Sequence, residues 1–233
     1  MKLFLIRHGE TNYNQQRKYC GFSDEPLNKT GKTQVKKLFC NIKNEEIDRV
    51  YASDLKRAVQ SAQLIFPHRA VEQIVDFREM NFGVFEGLTH DQILVKYPRL
   101  YNRWLKNPAR VNIPKGENLK ILDKRVNTRL AKIISQNQGK TIALVAHGGV
   151  VAVILCRVLN VGLEKFWQMI QRNTALNVIE YSNGTQPRVI KIDAPPLNPW
   201  QLKKLDRIDR IVRIKKQKIF ILGSTQVRQG KSK

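Results

Sequence analysis

The chain has 233 residues, 42% of them hydrophobic, enough to bury a core without disulfide or metal staples. Forty-two Lys and Arg face nineteen Asp and Glu, a net charge of +23, so the surface suits anionic partners: phosphorylated metabolites, nucleic acid or acidic lipid headgroups. Three cysteines without CxxC spacing (Cys20, Cys40, Cys156) and four histidines without HExxH spacing argue against a disulfide framework and a zinc site; no metal and no cofactor are predicted.

Lys2 to Ile6 reads as a short buried strand ending in Arg7-His8-Gly9. Its four apolar residues are too few for a signal-peptide core, and a cytoplasmic enzyme is the expectation. Pro26 to Gly31 reads as a loop, with Thr30 capping a helix whose apolar residues fall at Val35, Leu38, Phe39 and Ile42. Arg49 to Ala52 is a second strand. Asp54 is the predicted cap of a helix with Leu55, Ala58, Val59, Ala62 and Ile65 on one face, ended by Pro67. A third strand is predicted over 70–75, followed by an irregular segment, 76–88, and by helical pieces from His90 that Pro98, Pro108 and Pro114 interrupt. Glu117 to Gln136 has the period of a long amphipathic helix. Thr141 to Ala146, a continuous apolar run, predicts a fully buried strand, and Gly148 opens a helix through Leu159. The apolar run is too short, and too interrupted by His147-Gly148-Gly149, to span a bilayer. Two more strands are expected near 176–181 and 188–192. This alternation predicts an α/β fold, a three-layer α/β/α sandwich around a mostly parallel sheet. The compact domain is expected to end in the Pro-rich stretch 195–199, leaving 1–199 as a catalytic domain and 200–233 as a basic C-terminal extension.

Chemistry gathers at predicted strand ends. Arg7-His8 follows the first strand, Ser53 to Arg57 the second, Glu79 the third, and His147 the strand at 141–146. Ligands of open parallel sheets bind outside the carboxyl ends of strands, so these loops are expected to converge. Two imidazoles, two guanidiniums and a carboxylate suit phosphoryl transfer. A neutral imidazole is a nucleophile near pH 7, guanidiniums grip phosphate oxygens, and a carboxyl group can protonate a leaving oxygen. The helix opened by Gly148-Gly149 can add backbone N–H groups. Taken singly, a histidine after a strand reads more simply as a satisfied structural histidine, an arginine in a first helical turn as a solvated face, and Glu79 is uninformative; their coincidence in type and place points to phosphoryl transfer.

Arg7-His8-Gly9-Glu10-Thr11 resembles the RHG[ET] signature of the histidine phosphatase superfamily, in its phosphoglycerate-mutase-like branch. Leu27 to Gly31, Ser53-Asp54-Leu55-Lys56-Arg57-Ala58, the segment Glu79 to Gly83 and Val145-Ala146-His147-Gly148-Gly149 resemble further family segments in order and spacing, across about residues 2–192. The resemblance implies His8 as nucleophile and phosphohistidine, Glu79 as proton donor and then base, and Arg7, Arg57 and His147 as the rest of the catalytic set. It also implies substrate contacts from Asn14, Gly21 and Gly148, and metal-independent chemistry. The stretch 79–118 is similar to alpha-ribazole phosphatases of cobalamin biosynthesis, although Phe85 stands where a Trp is more usual.

The expected activity is therefore phosphomonoester hydrolysis of a small phosphorylated metabolite, with alpha-ribazole 5'-phosphate as the first candidate. A phosphoglycerate mutase or a broad sugar or acid phosphatase is the alternative, the mutase disfavoured by the short 84–115 segment. That segment is expected to cap the pocket; its Lys96, Arg99, Arg103, Lys106, Arg110 and Lys115 favour an anionic substrate or form a solvated face. A homodimer is compatible with the sequence. A further alternative is polyanion binding through residues 201–233, which hold eleven Lys and Arg against two Asp. There Leu205, Ile208, Ile211 and Val212 recur at helical spacing, either on a segment that meets nucleic acid or anionic membrane, or on a helix docked against the domain.

Overall fold

In the computed structural model, residues 1–182 and 185–193 are described. The chain runs through β1 (Lys2–Arg7), α1 (Asn12–Gln15), α2 (Lys29–Ile42), β2 (Arg49–Ala52), α3 (Lys56–Ile65), β3 (Val71–Gln73), α4 (His90–Lys96) and α5 (Pro98–Lys106). It continues through α6 (Leu119–Gln136), β4 (Thr141–Ala146), α7 (Gly148–Val158), α8 (Phe166–Met169), β5 (Leu176–Glu180) and β6 (Arg188–Lys191). The strands form one sheet in the order β3-β2-β4-β1-β5-β6. β3, β2, β4 and β1 pair in parallel, and β5 and β6 add antiparallel strands beside β1. The mostly parallel α/β sandwich expected from the alternation of elements is therefore the observed fold.

The central strands explain their own sequence. Successive side chains of a strand point to opposite faces. Leu3 and Leu5 of β1, with Ile142 and Leu144 of β4, belong to the core that α6 and α7 cover. Phe4 and Ile6, with Ala143 and Val145, belong to the core that α2 and α3 cover. With helices on both faces, every position from Ile142 to Ala146 must be apolar, as it is. Ten of the eleven residues of α7 are buried, and each fully buried Val, Ile or Leu contributes about 1.5–3 kcal/mol.

Several element ends differ from expectation, each time because a side chain has another partner. Asn28, not Thr30, caps α2, its Oδ1 accepting from Gly31 N at 2.7 Å. Asp54 does not cap α3; its carboxylate is held by Arg78, and the N-cap position, Leu55, offers no side-chain bond. α6 begins at Leu119 under an Asn118 cap, because the carboxylate of Glu117 is engaged by Arg125. β3 is only three residues long and is followed by a 3-10 turn, Val75–Phe77. Pro98 opens α5 rather than breaking a helix, since its missing N–H is no loss in a first turn. Phe39 is only partly buried. The Leu163–Lys165 turn and α8 were not predicted.

The segment 84–115 carries α4 and α5 and packs its aromatic residues inward. Phe85, Tyr101 and Trp104 are at most 1% exposed and meet edge to face or stacked at centroid distances of 5.5–5.9 Å. Its six basic residues are all exposed. The helical spacing at 205–213, the Pro-rich boundary and the rest of the basic extension lie outside the described residues.

Candidate active site

Register brings the two imidazoles together. In the parallel pairing of β1 with β4, Arg7 lies opposite Ala146, and His8 N donates to Ala146 O at 2.9 Å. The next residue of each strand is His8 on one and His147 on the other. Their rings face each other at 5.1 Å between centroids, inclined by 61°. β2 lies on the far side of β4, where Ser53 N donates to Val145 O, so α3 starts beside His147 and presents Arg57 to it. The reversal of chain order around β4 and β1 places this cluster at a switch point of the sheet.

The tautomers follow from the hydrogen bonds. His8 Nδ1 lies 2.6 Å from the carbonyl oxygen of Gly9, which can only accept, so Nδ1 carries the proton and Nε2 keeps its lone pair. His147 is the reverse: Arg57 Nε donates to its Nδ1 at 3.1 Å, so the proton sits on Nε2. His147 Nε2 and Arg7 Nε are buried donors with no acceptor in the protein. Leaving such a donor unpaired costs about 1–3 kcal/mol, which a purely structural arrangement would avoid. Burial, then the charges of Arg57 and Arg7, hold the His8 imidazole well below its ordinary range of proton affinity, partly offset by the Gly9 bond. Burial and Arg57 do the same to His147, with His8 and Arg7 adding. Both rings are neutral at physiological pH.

Arg57 is fully buried, and most of its donors are engaged. Nη1 donates to Ser23 O at 2.7 Å, and Nη2 to Gly21 O at 2.7 Å and Cys20 O at 3.3 Å. It serves as a fixed positive charge and as the anchor of His147, with one Nη1 hydrogen left over. Arg7 donates through Nη1 to Gln171 O and packs its guanidinium against Gly148. Burial lowers its proton affinity and the nearby Glu79 raises it.

Glu79 reaches the site from the irregular segment after β3. Its carboxyl accepts from Met80 N at 2.8 Å and from Gly149 N, in the first turn of α7, at 2.9 Å. A side chain at position 149 would push this carboxyl group aside, because a Cβ there would lie 2.3 Å from Glu79 Oε1. The Gly149 N–H expected to serve phosphate therefore holds the carboxyl group instead. Asn14 Oδ1 accepts from Thr11 N and from Asn173 Nδ2, which leaves the Nδ2 amide as its donating end. Gly21, expected to offer its backbone to substrate, gives its N–H to Glu86 and its carbonyl oxygen to Arg57.

The structure thus links all eight predicted residues into one cluster, and adds others. Asn173 donates to His8 O and to Asn14 Oδ1; nothing in the sequence marked it. Arg125 donates to the carbonyl oxygens of Asp76, Arg78 and Glu79 and pairs with Glu117, fixing the loop that carries Glu79. Glu86 and Glu117 stood within a family-like stretch, but with no role attached. The three cysteines are free; the Cys20 thiol, close to Arg57, is pushed up to about 12, chiefly by burial. No described helix is long and apolar enough to cross a membrane.

Comparison with known proteins gives the family. The family model for the histidine phosphatase superfamily (branch 1) matches residues 3–193. Phosphoserine phosphatase 1 of Hydrogenobacter thermophilus is 32% identical over 181 residues, 77% of this chain and 86% of that protein. Phosphoglycerate mutase-like protein 4 of Arabidopsis thaliana is 32% identical over 188 residues, 78% of this chain and 80% of the other. The crystal structure of the alpha-ribazole phosphatase from Shigella flexneri superposes with a TM-score of 0.75 at 27% identity, covering 85% of this chain and 100% of that one. With the match spanning the whole described sheet and both histidine-bearing strand ends, the chain belongs to the histidine phosphatase superfamily.

Proposed function

We propose that the protein is a phosphomonoesterase that works through a phosphohistidine on His8. The observation that carries this reading is the tautomer of His8. Its Nδ1 proton is tied to Gly9 O, so an unprotonated Nε2 stands among two guanidiniums and the Nε2–H of His147. His8 Nε2 attacks phosphorus as the ester P–O bond breaks, and Glu79 gives its proton to the departing oxygen. Water then attacks phosphorus while Glu79 takes its proton. The P–N bond breaks, releasing inorganic phosphate and restoring His8 and the protonated Glu79. Arg7 Nε, the remaining Arg57 Nη1 hydrogen, His147 Nε2–H and Asn14 Nδ2 stabilise the phosphoryl oxygens, with Gly148 leaving room for Arg7. Fixed cations supply the charge compensation that a divalent metal supplies in other phosphoryl-transfer sites, so the reaction is proposed to be metal-independent.

For substrate, alpha-ribazole 5'-phosphate is the first candidate, supported by the 79–118 stretch and by the Shigella flexneri likeness. Phosphoserine is the second, favoured by the 32% identity to the Hydrogenobacter thermophilus phosphatase. Hydrolysis is preferred over a mutase reaction because a mutase must retain its phosphoryl group behind a closing lid, and the stretch after Glu79 is short. A panel of phosphate esters that includes both candidates and 3-phosphoglycerate, read by released phosphate, tests the reading. Phosphate should appear from one or both candidates, undiminished by exhaustive chelation. Isomerised phosphoglycerate without free phosphate would establish the mutase reading instead. A cytoplasmic setting, and an extension from residue 200 that is accessory to catalysis, complete the proposal.

A further inference from the structure

The backbone carbonyls that hold Arg57 need a holder themselves. Cys20, Gly21 and Ser23 sit on a loop with no strand or helix to fix it, yet three of their oxygens must point at one guanidinium. The same loop turns its amides the other way. Gly21 N and Ser23 N both donate to a single oxygen, Oε1 of Glu86, at 2.7 and 3.0 Å. Glu86 follows a 3-10 turn, Gly83–Phe85, whose Phe85 is fully buried against Tyr97, Tyr101 and Trp104. The carboxylate is therefore delivered from a rigid base. The loop also packs closely on the Met80 backbone: a Cβ at Gly21 would lie 2.2 Å from Met80 O.

We propose that Glu86 is a positioning residue for the reaction, acting on His147 through the 20–23 loop and Arg57. Glu86 Oε1 fixes the amides of Gly21 and Ser23. The carbonyls of that loop fix the guanidinium plane of Arg57. Arg57 Nε fixes the Nδ1 lone pair of His147, and so puts the His147 proton on Nε2, where phosphate is to be met. Each step is a hydrogen bond of 3.3 Å or less. The critical property is the reach of one oxygen rather than the negative charge, because both amides use Oε1 alone. Oε2 is buried without a partner. The importance of His147 for phosphoryl transfer rests on the function proposed above; its tautomer does not.

Two variants separate reach from charge. Glu86→Gln removes the charge and keeps a carbonyl oxygen at full length. Glu86→Asp keeps the charge and withdraws the oxygen by about one C–C bond, roughly 1.5 Å. With p-nitrophenyl phosphate as probe, Glu86→Gln should stay within about threefold of wild type, while Glu86→Asp should lose on the order of 10²-fold in kcat, as expected for a catalytic group misplaced by about an ångström. Nitrogen-15 NMR of labelled histidine gives a readout that needs no turnover. His147 should be a pure Nε2–H tautomer in wild type and in Glu86→Gln, and a mixture in Glu86→Asp. The proposal is overturned if Glu86→Asp keeps both rate and tautomer, or if Glu86→Gln is as impaired as Glu86→Asp. Should Glu86→Asp fail to fold, Glu86→Gln decides alone, and loss of the Nε2–H tautomer there overturns the proposal. Absence of a phosphohistidine in the wild type would remove the phosphatase reading and leave the NMR result to stand by itself.

Discussion

Two loops carry groups of the proposed mechanism, and they are fixed by opposite means. The 20–23 loop, which holds Arg57, is tied down by a carboxylate: Glu86 collects backbone N–H groups. The 76–79 loop, which delivers Glu79, is tied down by a guanidinium: Arg125 collects the carbonyl oxygens of Asp76, Arg78 and Glu79. Neither loop belongs to the sheet, so neither can satisfy its backbone through a ladder. A buried backbone group without a partner costs as much as a lost hydrogen bond. A side chain of matching polarity does what a strand neighbour does elsewhere. The contrast also separates residues that would touch phosphate from those that hold them in place, and the two classes should respond differently to substitution.

The largest effect is expected at the nucleophile. His8→Ala should abolish turnover while the protein still folds, because His8 directly follows β1 and its backbone bond to Ala146 O does not depend on the side chain. Activity above a small fraction of wild type in the purified variant would remove His8 from its role. Arg57→Lys comes next. A lysine has no planar fork to bridge the loop carbonyls and the His147 ring, so kcat should fall by on the order of 10² to 10³. Near-normal kcat would mean that Arg57 supplies charge alone. Arg125→Lys should be milder, lowering kcat by about 10-fold and stability by about 1–3 kcal/mol, because one ammonium cannot serve three loop carbonyls and Glu117 at once. Denaturant unfolding and steady-state kinetics measure both. If Arg125→Lys were the more damaging of the two arginine variants, the division between contact and support would be drawn in the wrong place.

The pH response follows from the buried imidazoles. Both His8 and His147 have folded proton affinities well below the ordinary value of 6.5. Below that pH the unfolded chain binds more protons than the folded one, so stability falls as the solution is acidified from pH 7 toward 5. The slope is at most about 1.4 kcal/mol per pH unit for each histidine that stays neutral. His147→Gln should flatten this slope in thermal melts; an unchanged slope would place the acid sensitivity elsewhere. The smallest effect is expected at the extension. Truncation after Pro199 should leave hydrolysis of a small ester within a few-fold while lowering retention on heparin, with the difference shrinking as salt rises. An inactive truncated protein would make the extension part of the catalytic unit, and equal retention would remove it as a polyanion contact.

What could be read from the sequence depended on how local the cause was. Thr141 to Ala146 was legible residue by residue, because a strand covered on both faces leaves an unbroken apolar run. The convergence of Arg7, His8, Arg57 and His147 was legible because all lie at or beyond the carboxyl ends of strands, and parallel strands bring those ends to one edge. Helix starts were less legible where the residue expected to cap or open the helix has another partner, as Asp54 does in Arg78 and Glu117 in Arg125. The supporting residues were the least legible. Glu86 lies 65 positions from Gly21, and Arg125 lies 46 from Glu79. No period or motif connects an acid or a base to backbone groups so far along the chain.

The proposed mechanism requires a covalent bond between phosphorus and one imidazole nitrogen, and rapid-quench trapping detects that bond. The wild-type protein, mixed with a phosphorus-32-labelled ester and quenched within its first turnover, should carry label that is acid-labile and base-stable. Peptide mapping should place that label on His8, and His8→Ala should carry none. Label on a serine, aspartate or cysteine, or rapid hydrolysis with no label in the wild type, would contradict the account.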